Sequence, residues 1–392
     1  MKLYIAVCGM GLGHASRCLP LAKIASLRGA EVVFSTYGEE ALNLIRDKGF
    51  RAVKVPGVSY LIGNEGGVDF RLTLAKGPLE LYKFIRQVVT EAKCLMSEKP
   101  SVVISDSRLS TVLAAEALGL PSILILNQVK VLIPRRRPIG RLGLRVKAFT
   151  ERMGCEVLSL GWSRAESLLI ADFPPPYTIS KLNLELPAKL EVKAKFVGPL
   201  IEAEKYMAVD VEEKLRVKEE LGLSDKPLIL FSAGGLSGER LKLLRLVVSA
   251  FKRRDDVNVV ATASTPGGKV SLKVGSVTVH GWLRDRHLLL KAADLLITHG
   301  GHTSIAEAVY AATPMLIIPT PGHTERVNNA RTAEKLGVAK VLSLEDAERS
   351  LGRAVDEVLL NEDYVKRAWS LAKRAAKFNA VEEVYREALK YS

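Results

Sequence analysis

Short, unbroken runs of apolar residues recur along this chain, each closed by glycine, proline or a polar residue, with helix-period segments between them. In the first half the runs fall at residues 3–7, 31–34, 102–104 and 123–126; in the second they fall at 228–232, 257–262, 277–280, 294–298 and 315–319. A strand that is apolar on both faces must be covered on both faces, which predicts parallel sheets clothed by helices. Helical spacing at 15–28 and 112–118 supplies such covers. The chain has 392 residues, enough for two domains with a core each. The proline-rich stretch 172–199 closes the first domain (1–200), and a charged helical stretch at 210–221 opens the second (201–361). The terminal segment 362–392 reads as helices interrupted near Phe378 and Asn379.

Composition narrows the field. No apolar run reaches the roughly 18 residues of a membrane span, and the opening MKLYIAVCGMGLGH reads as strand and loop, not as a cleavable leader. A cytoplasmic location is expected. Cys8, Cys18, Cys94 and Cys155 are scattered without a CxxC pair, which suits buried thiols and excludes a structural zinc site. Only Gln87 and Gln128 represent glutamine, while Lys, Arg and Glu abound, a thermophile-like balance. The formal charge of +14 suits a polyanionic partner or a solvated basic surface. No nucleic-acid-binding motif accompanies it.

Residues 298–319, THGGHTSIAEAVYAATPMLIIP, join a strand end, a glycine turn, a helix and a second strand. Gly300 and Gly301 let the backbone turn tightly and approach a ligand. Thr303 and Ser304 fall where an N-cap is expected, and Ile305, Ala308, Val309 and Ala312 follow at helical spacing. A helix opening behind such a turn offers unpaired N–H groups and partial positive charge to a diphosphate. Glu307, one turn on, offers a carboxylate to ribose hydroxyls. Corners of this kind also occur without ligands, but His299, His302, Ser304 and Glu307 make this one more polar than a structural turn requires.

The first strand leads into GMGLGHASRCLPLAKIA. Gly9, Gly11 and Gly13 are evenly spaced, and the second strand closes on Phe34-Ser35-Thr36 without a carboxylate. A dinucleotide fingerprint requires both a different spacing and that acid, so a dehydrogenase is disfavoured. His14 stands at the loop's exit, and Asp106 ends the strand at 102–105. Two strand exits on one sheet edge can bring them together, the carboxylate fixing the imidazole tautomer so that the other nitrogen takes a proton. The plainer alternatives are a packing role for His14 and a helix N-cap role for Asp106.

The order Trp282, THGGHTS, Glu307, Pro314, Pro319 and Asn329-Ala330 resembles the donor-binding signature of nucleotide-sugar glycosyltransferases of the GT-B fold. GLGHASRCLPLA resembles the GxGH…R opening of microbial GT-B transferases. These include relatives, in family 28, of the N-acetylglucosaminyltransferase that completes lipid-linked peptidoglycan precursors. Residues 99–125 are similar to the PDxxxxD…AxxLGIP segment of the same superfamily.

The resemblance implies two Rossmann-like α/β domains facing across a cleft, with 362–392 crossing back to the N-terminal domain. It implies His14 as catalytic base and Asp106 as its partner. Gly11 and Gly13 would line the site, and Gly234 and Gly235, in FSAGG, would face phosphate. Trp282 and Leu283 would contact the base through backbone atoms. His299 and Ser304 would touch the diphosphate, with Gly300, Gly301, His302 and Thr303 completing the corner, and Glu307 would hold the ribose. Glu325 would read the sugar, with Arg326 standing where the family has glutamine.

The implied reaction is inverting transfer of a sugar from a nucleotide sugar, UDP-linked by analogy, to an acceptor hydroxyl or phosphate. The nucleotide sugar is a substrate; no cofactor and no metal are expected, and no D-x-D motif occurs. Arg135, Arg136, Arg137 and Arg141, interleaved with Leu, Ile and Val, suit an anionic membrane surface and hence a lipid-linked acceptor, with an ordinary basic loop as the plainer reading. A nucleotide-sugar hydrolase of the nonulosonic-acid type, an epimerase, or a nucleotide-sugar or polyanion binder are the alternative readings.

Overall fold

The computed structural model describes residues 1–57, 77–130, 140–234, 237–265, 268–283 and 285–391. The chain divides into two units. The first comprises Met1–Pro174, Asn183–Ile201 and Asn379–Ser392; the second comprises Pro175–Leu182 and Glu202–Phe378.

The first unit is built on strands β1 (Lys2–Val7), β2 (Glu31–Thr36), β3 (Arg51–Lys54), β4 (Val102–Asp106), β5 (Ser122–Leu126), β6 (Ser167–Ile170) and β7 (Ala194–Phe196). They form one parallel sheet in the order β3-β2-β1-β4-β5-β6-β7. Its helices are α1 (Gly13–Leu27), α2 (Glu39–Asp47), α3 (Gly77–Glu98), α4 (Leu109–Ala117), α5 (Arg141–Trp162) and the short α6 (Ala188–Glu191). Strands β1, β4 and β5 are buried along almost their whole length, which is why their sequences are continuously apolar. The edge strands β3 and β7 carry exposed positions, and their mixed sequences hide them from an apolar-run search.

The second unit contains α7 (Ala203–Tyr206), α8 (Val211–Glu220), α9 (Ser237–Phe251), α10 (Arg286–Ala292), α11 (His302–Tyr310), α12 (Thr324–Lys335), α13 (Leu344–Leu360) and α14 (Glu362–Ala375). Its strands are β8 (Leu228–Phe231), β9 (Asn258–Thr262), β10 (Ser271–Val274), β11 (Val277–His280), β12 (Leu295–Thr298), β13 (Met315–Ile317) and β14 (Ala339–Val341). They pair in the order β10-β11-β9-β8-β12-β13-β14, parallel except for the β10–β11 hairpin.

The last helix, α15 (Ala380–Leu389), belongs to the first unit, whereas α14 stays with the second. Ala380, Val381, Val384, Tyr385 and Ala388 join Leu21, Ala22 and Ala25 of α1 in one buried cluster. Cys8, Cys18, Cys94 and Cys155 are all free thiols. No helix among the described residues is long and apolar enough to cross a membrane.

Candidate functional site

Each sheet reverses its winding at one point, and ligands in such folds sit at the carboxyl ends of the strands beside that point. In the first unit the point lies between β1 and β4, where Val7 registers with Asp106. The loop after β1 therefore emerges beside the end of β4. Gly11 takes φ +69°, and a side chain at Gly11 or Gly13 would meet no atom within 4 Å, so the loop is an open floor. Helix α1 begins at Gly13, two residues before the start expected from spacing, and Leu12 at its N-cap gives no side-chain cap. His14 thus lies in the first turn.

His14 Nδ1 stands 3.0 Å from Asp106 Oδ1, its side chain 21 % exposed while Asp106 is fully buried. Arg17, one turn along α1, completes the arrangement. Its Nε donates to Asp106 Oδ2 at 2.6 Å and its Nη2 pairs with Oδ1. The Cys18 thiol donates to Oδ2 at 3.3 Å and Ser107 Oγ to Oδ1 at 3.2 Å. Burial pushes the Asp106 carboxyl up, but the charges and hydrogen bonds of Arg17 and His14 outweigh it and hold the group well below the carboxylate range. Asp106 is an ionised acceptor at every physiological pH. It is not a helix cap: the N-cap of α4 is Arg108, without a side-chain cap bond. His14 Nδ1 also lies 3.1 Å from Arg17 Nη2, so this edge of the ring faces both the carboxylate and the guanidinium. In the tautomer that donates Nδ1–H to Asp106, Nε2 is the proton acceptor. Arg17 was missed as a member of the site, although the GxGH…R spacing places it one helical turn from His14.

In the second unit the reversal lies between β8 and β12, where Phe231 registers with Ile297. Two glycine loops therefore leave the sheet side by side, one through Gly234 and one through Gly300. Gly300 takes φ +89°, and a Cβ there would stand 2.7 Å from the Arg326 carbonyl oxygen. The N-cap of α11 is Gly301, not Thr303 or Ser304: the helix already runs from His302, so Thr303 and Ser304 lie inside its first turn. Gly301 contributes no side-chain cap, which leaves the first-turn N–H groups without a capping side chain.

His299 is 5 % exposed and sits between the two loops. Its Nδ1 accepts from Gly301 N at 3.4 Å, while Nε2 lies on the Gly234 side, where a Cβ would approach it to 3.8 Å. Burial, then the charges of Arg326 and His323, lower its pKa to about 3, against a weaker opposing hydrogen bond with the Gly234 backbone. His299 is thus a neutral imidazole tying two glycine loops, not a cation. His323, the N-cap of α12, is lowered by burial and by Arg326 in the same way. Arg326 and Arg240 bring positive charge to this corner, with Glu239 and Glu325 close to His323.

Glu307 is 7 % exposed and already ion-paired: Arg286 Nη1 bonds its Oε2. Arg286 Nε also donates to Ser232 Oγ at 2.9 Å, and Nη2 approaches Ser304 Oγ at 3.4 Å. Arg286, the first residue of α10, was not singled out from sequence; the only signal is a polar WLRDRH stretch ahead of β12. Arg326 turns into its own unit, its Nη1 donating to Glu239 Oε2 at 3.0 Å and Thr320 Oγ1 at 2.5 Å. Asn329 Nδ2 donates to the Gly300 carbonyl at 3.3 Å and braces the turn from behind.

Glu325 lies in the first turn of α12. Trp282, 41 % exposed, and Leu283 lie between β11 and α10. His302 is buried. Gly235, Arg135, Arg136 and Arg137 fall outside the described residues; Arg141 opens α5 and is exposed. Among the described residues, no three His, Cys, Asp or Glu side chains gather as a metal-ligand set.

Residues 247–384 match the glycosyltransferase family 28 C-terminal domain. An uncharacterized glycosyltransferase of Methanosarcina mazei is 31 % identical over 98 % of this chain and 97 % of its own length. The UDP-N-acetylglucosamine–N-acetylmuramyl-(pentapeptide) pyrophosphoryl-undecaprenol N-acetylglucosamine transferase of Deinococcus deserti is 22 % identical over 76 % of this chain and 82 % of its own. The crystal structure of CalG4, the calicheamicin glycosyltransferase, superposes with a TM-score of 0.69 at 16 % identity, covering all of this chain and 98 % of that one. Two Rossmann-like units, a family match that takes in β9 to β14 and end-to-end similarity to the Methanosarcina relative lead to one conclusion: the chain belongs to the family 28-like glycosyltransferases of the GT-B fold.

Proposed function

We propose that this enzyme transfers a sugar from a UDP-linked donor to a hydroxyl or phosphate of a lipid-borne acceptor, with inversion at the anomeric carbon. The observation that carries the reading is the His14–Asp106 pair, an imidazole at an open glycine loop backed by a carboxylate that stays ionised. In this mechanism His14 Nε2 takes the acceptor's proton as its oxygen attacks the anomeric carbon, and Asp106 steadies the imidazolium that forms. The transition state has oxocarbenium character. Charge arriving on the departing diphosphate is met by the uncapped N–H groups of α11. Glu307 accepts from the ribose, and Glu325 meets the sugar. The nucleotide sugar is a substrate, and the reading calls on no cofactor or metal.

A UDP donor and a lipid acceptor are supported by the activity for which the Deinococcus relative is named. The surface of α5 supports the lipid side independently. Leu142, Val146, Phe149, Met153, Val157 and Leu160 repeat every three or four residues and are all exposed, Phe149 to 66 %. Arg141, Arg145 and Arg152 are exposed on the same helix. An apolar stripe with basic neighbours is what lies flat on an anionic bilayer, peripherally and here on its cytoplasmic face. Replacing Leu142 and Phe149 together by Ser is expected to reduce co-sedimentation with phosphatidylglycerol vesicles severalfold; unchanged sedimentation would sink the membrane reading.

The donor reading is tested by thermal shift with UDP-, GDP- and dTDP-sugars on wild type and Glu307→Gln, followed by product analysis on His14→Ala. UDP-sugars should raise the wild-type midpoint most. His14→Ala should bind the donor normally while turnover falls roughly 10²–10⁴-fold. No shift with any nucleotide sugar would overturn the donor assignment, and free sugar formed without acceptor would point to hydrolysis instead.

A further inference from the structure

The carboxylate placed to receive a ribose does not stand alone. Arg286 Nη1 bonds Glu307 Oε2, its Nε is anchored on Ser232 Oγ at 2.9 Å, and its Nη2 reaches toward Ser304 Oγ at 3.4 Å. One guanidinium therefore spans the end of β8, the first turn of α11 and the carboxylate one turn further. The Tyr206 phenol of α7 belongs to the same cluster: burial and the charge of Glu307 push its pKa up, and the charge of Arg286 opposes them. Arg286 is half-buried, its side chain 19 % exposed; desolvation lowers its pKa, yet the charge of Glu307 more than compensates, so the guanidinium stays protonated. A planar fork held at three points has little rotational freedom, and a carboxylate bonded to it inherits that rigidity.

We propose that Arg286 is a positioning residue for ribose recognition. By occupying Oε2 of Glu307 it turns the carboxylate so that Oε1 is presented to the ribose hydroxyls, and it thereby sets the enzyme's preference for ribonucleotide over 2′-deoxyribonucleotide donors. This rests on the donor reading given above. Arginine rather than lysine is required, because a single ammonium cannot hold the serine and the carboxylate in one plane.

The test compares UDP with 2′-deoxyuridine 5′-diphosphate by calorimetry on wild type, Arg286→Lys, Arg286→Met and the double variant Arg286→Met/Glu307→Gln. The double variant removes both members of the pair and so leaves no uncompensated buried charge to unfold the protein. Wild type should prefer UDP by roughly 10- to 100-fold, the worth of a hydroxyl donating to a charged acceptor. Arg286→Lys should bind the two nucleotides within a few-fold of each other, and so should the double variant, with 2′-deoxyuridine 5′-diphosphate affinity close to wild type. Preference retained in Arg286→Lys and in the double variant would overturn the proposal, as would equal binding of the two nucleotides by wild type. Equal loss of both nucleotides on Arg286→Lys would make Arg286 a diphosphate contact and would also overturn it. Failure of wild type to bind UDP, GDP or dTDP would instead remove the donor reading on which it rests.

Discussion

His14 and His299 show how neighbours decide what an imidazole can do. His14 sits at an open loop with a fully ionised carboxylate behind it. His299 is enclosed between two glycine loops with arginines close by, and it is neutral. That difference has a pH signature. The folded pKa of His299 is depressed to about 3 from an unfolded value near 6.5, so folding requires the neutral ring. Its contribution to stability is complete above about pH 6.5 and is lost as pH falls toward 3. Between pH 7 and 5 the wild type should lose about 2 kcal/mol more than His299→Gln, measured by urea denaturation at each pH. Parallel losses would show that His299 is not held neutral. From sequence, both histidines were visible as polar residues at strand exits. Their charge states were not, because Arg326 and Arg240, which act on His299, come from α12 and α9.

At the scale of elements, the glycine corner before α11 carries the donor reading. Gly300 holds a left-handed φ of +89°, and an added Cβ would press on the Arg326 carbonyl oxygen. Gly300→Ala is therefore expected to cost about 1–3 kcal/mol, read as a lowered urea midpoint, and to weaken UDP binding by shifting the helix start. An unchanged midpoint and affinity would mean that the turn tolerates the displacement. Most interior strands were legible because burial on both faces demands unbroken apolar sequence; β6, an interior strand of only four residues between charged neighbours, was not. Edge strands β3, β7 and β14 were not, since half-exposed strands lack that signature. The N-cap also eluded local reading. Thr303 and Ser304 are better capping residues than Gly301, but the tight turn at Gly300 starts the helix earlier and carries both hydroxyls into its first turn.

At the scale of the whole molecule, the first unit is not contiguous in sequence. Helix α15 supplies Val381, Val384 and Tyr385 to a core otherwise made by residues before Ile201. Burying those three side chains is worth roughly 5 kcal/mol, a large share of the stability of a domain. Truncation at Phe378 should therefore lower the melting temperature of the first unit by more than ten degrees, about what such a loss implies, while leaving UDP binding by the second unit intact. A melting curve unchanged by the truncation would show that α15 is dispensable. The exposed face of α5 also belongs to this scale, since only the packed structure distinguishes an apolar stripe that is covered from one that is not.

Periodicity and residues adjacent along the chain were enough for the α/β class, for every interior strand but β6, for the glycine corners and for the candidacy of His14, Asp106 and Glu307. The tertiary structure alone decided that Asp106 serves Arg17 and His14 instead of capping α4, that Glu307 is held by Arg286, that Arg326 turns to Glu239, and that the chain's last helix completes the first unit. Those outcomes depend on which strands lie side by side. A carboxylate, once buried, takes the strongest donors that the fold brings within reach, however distant they are in sequence.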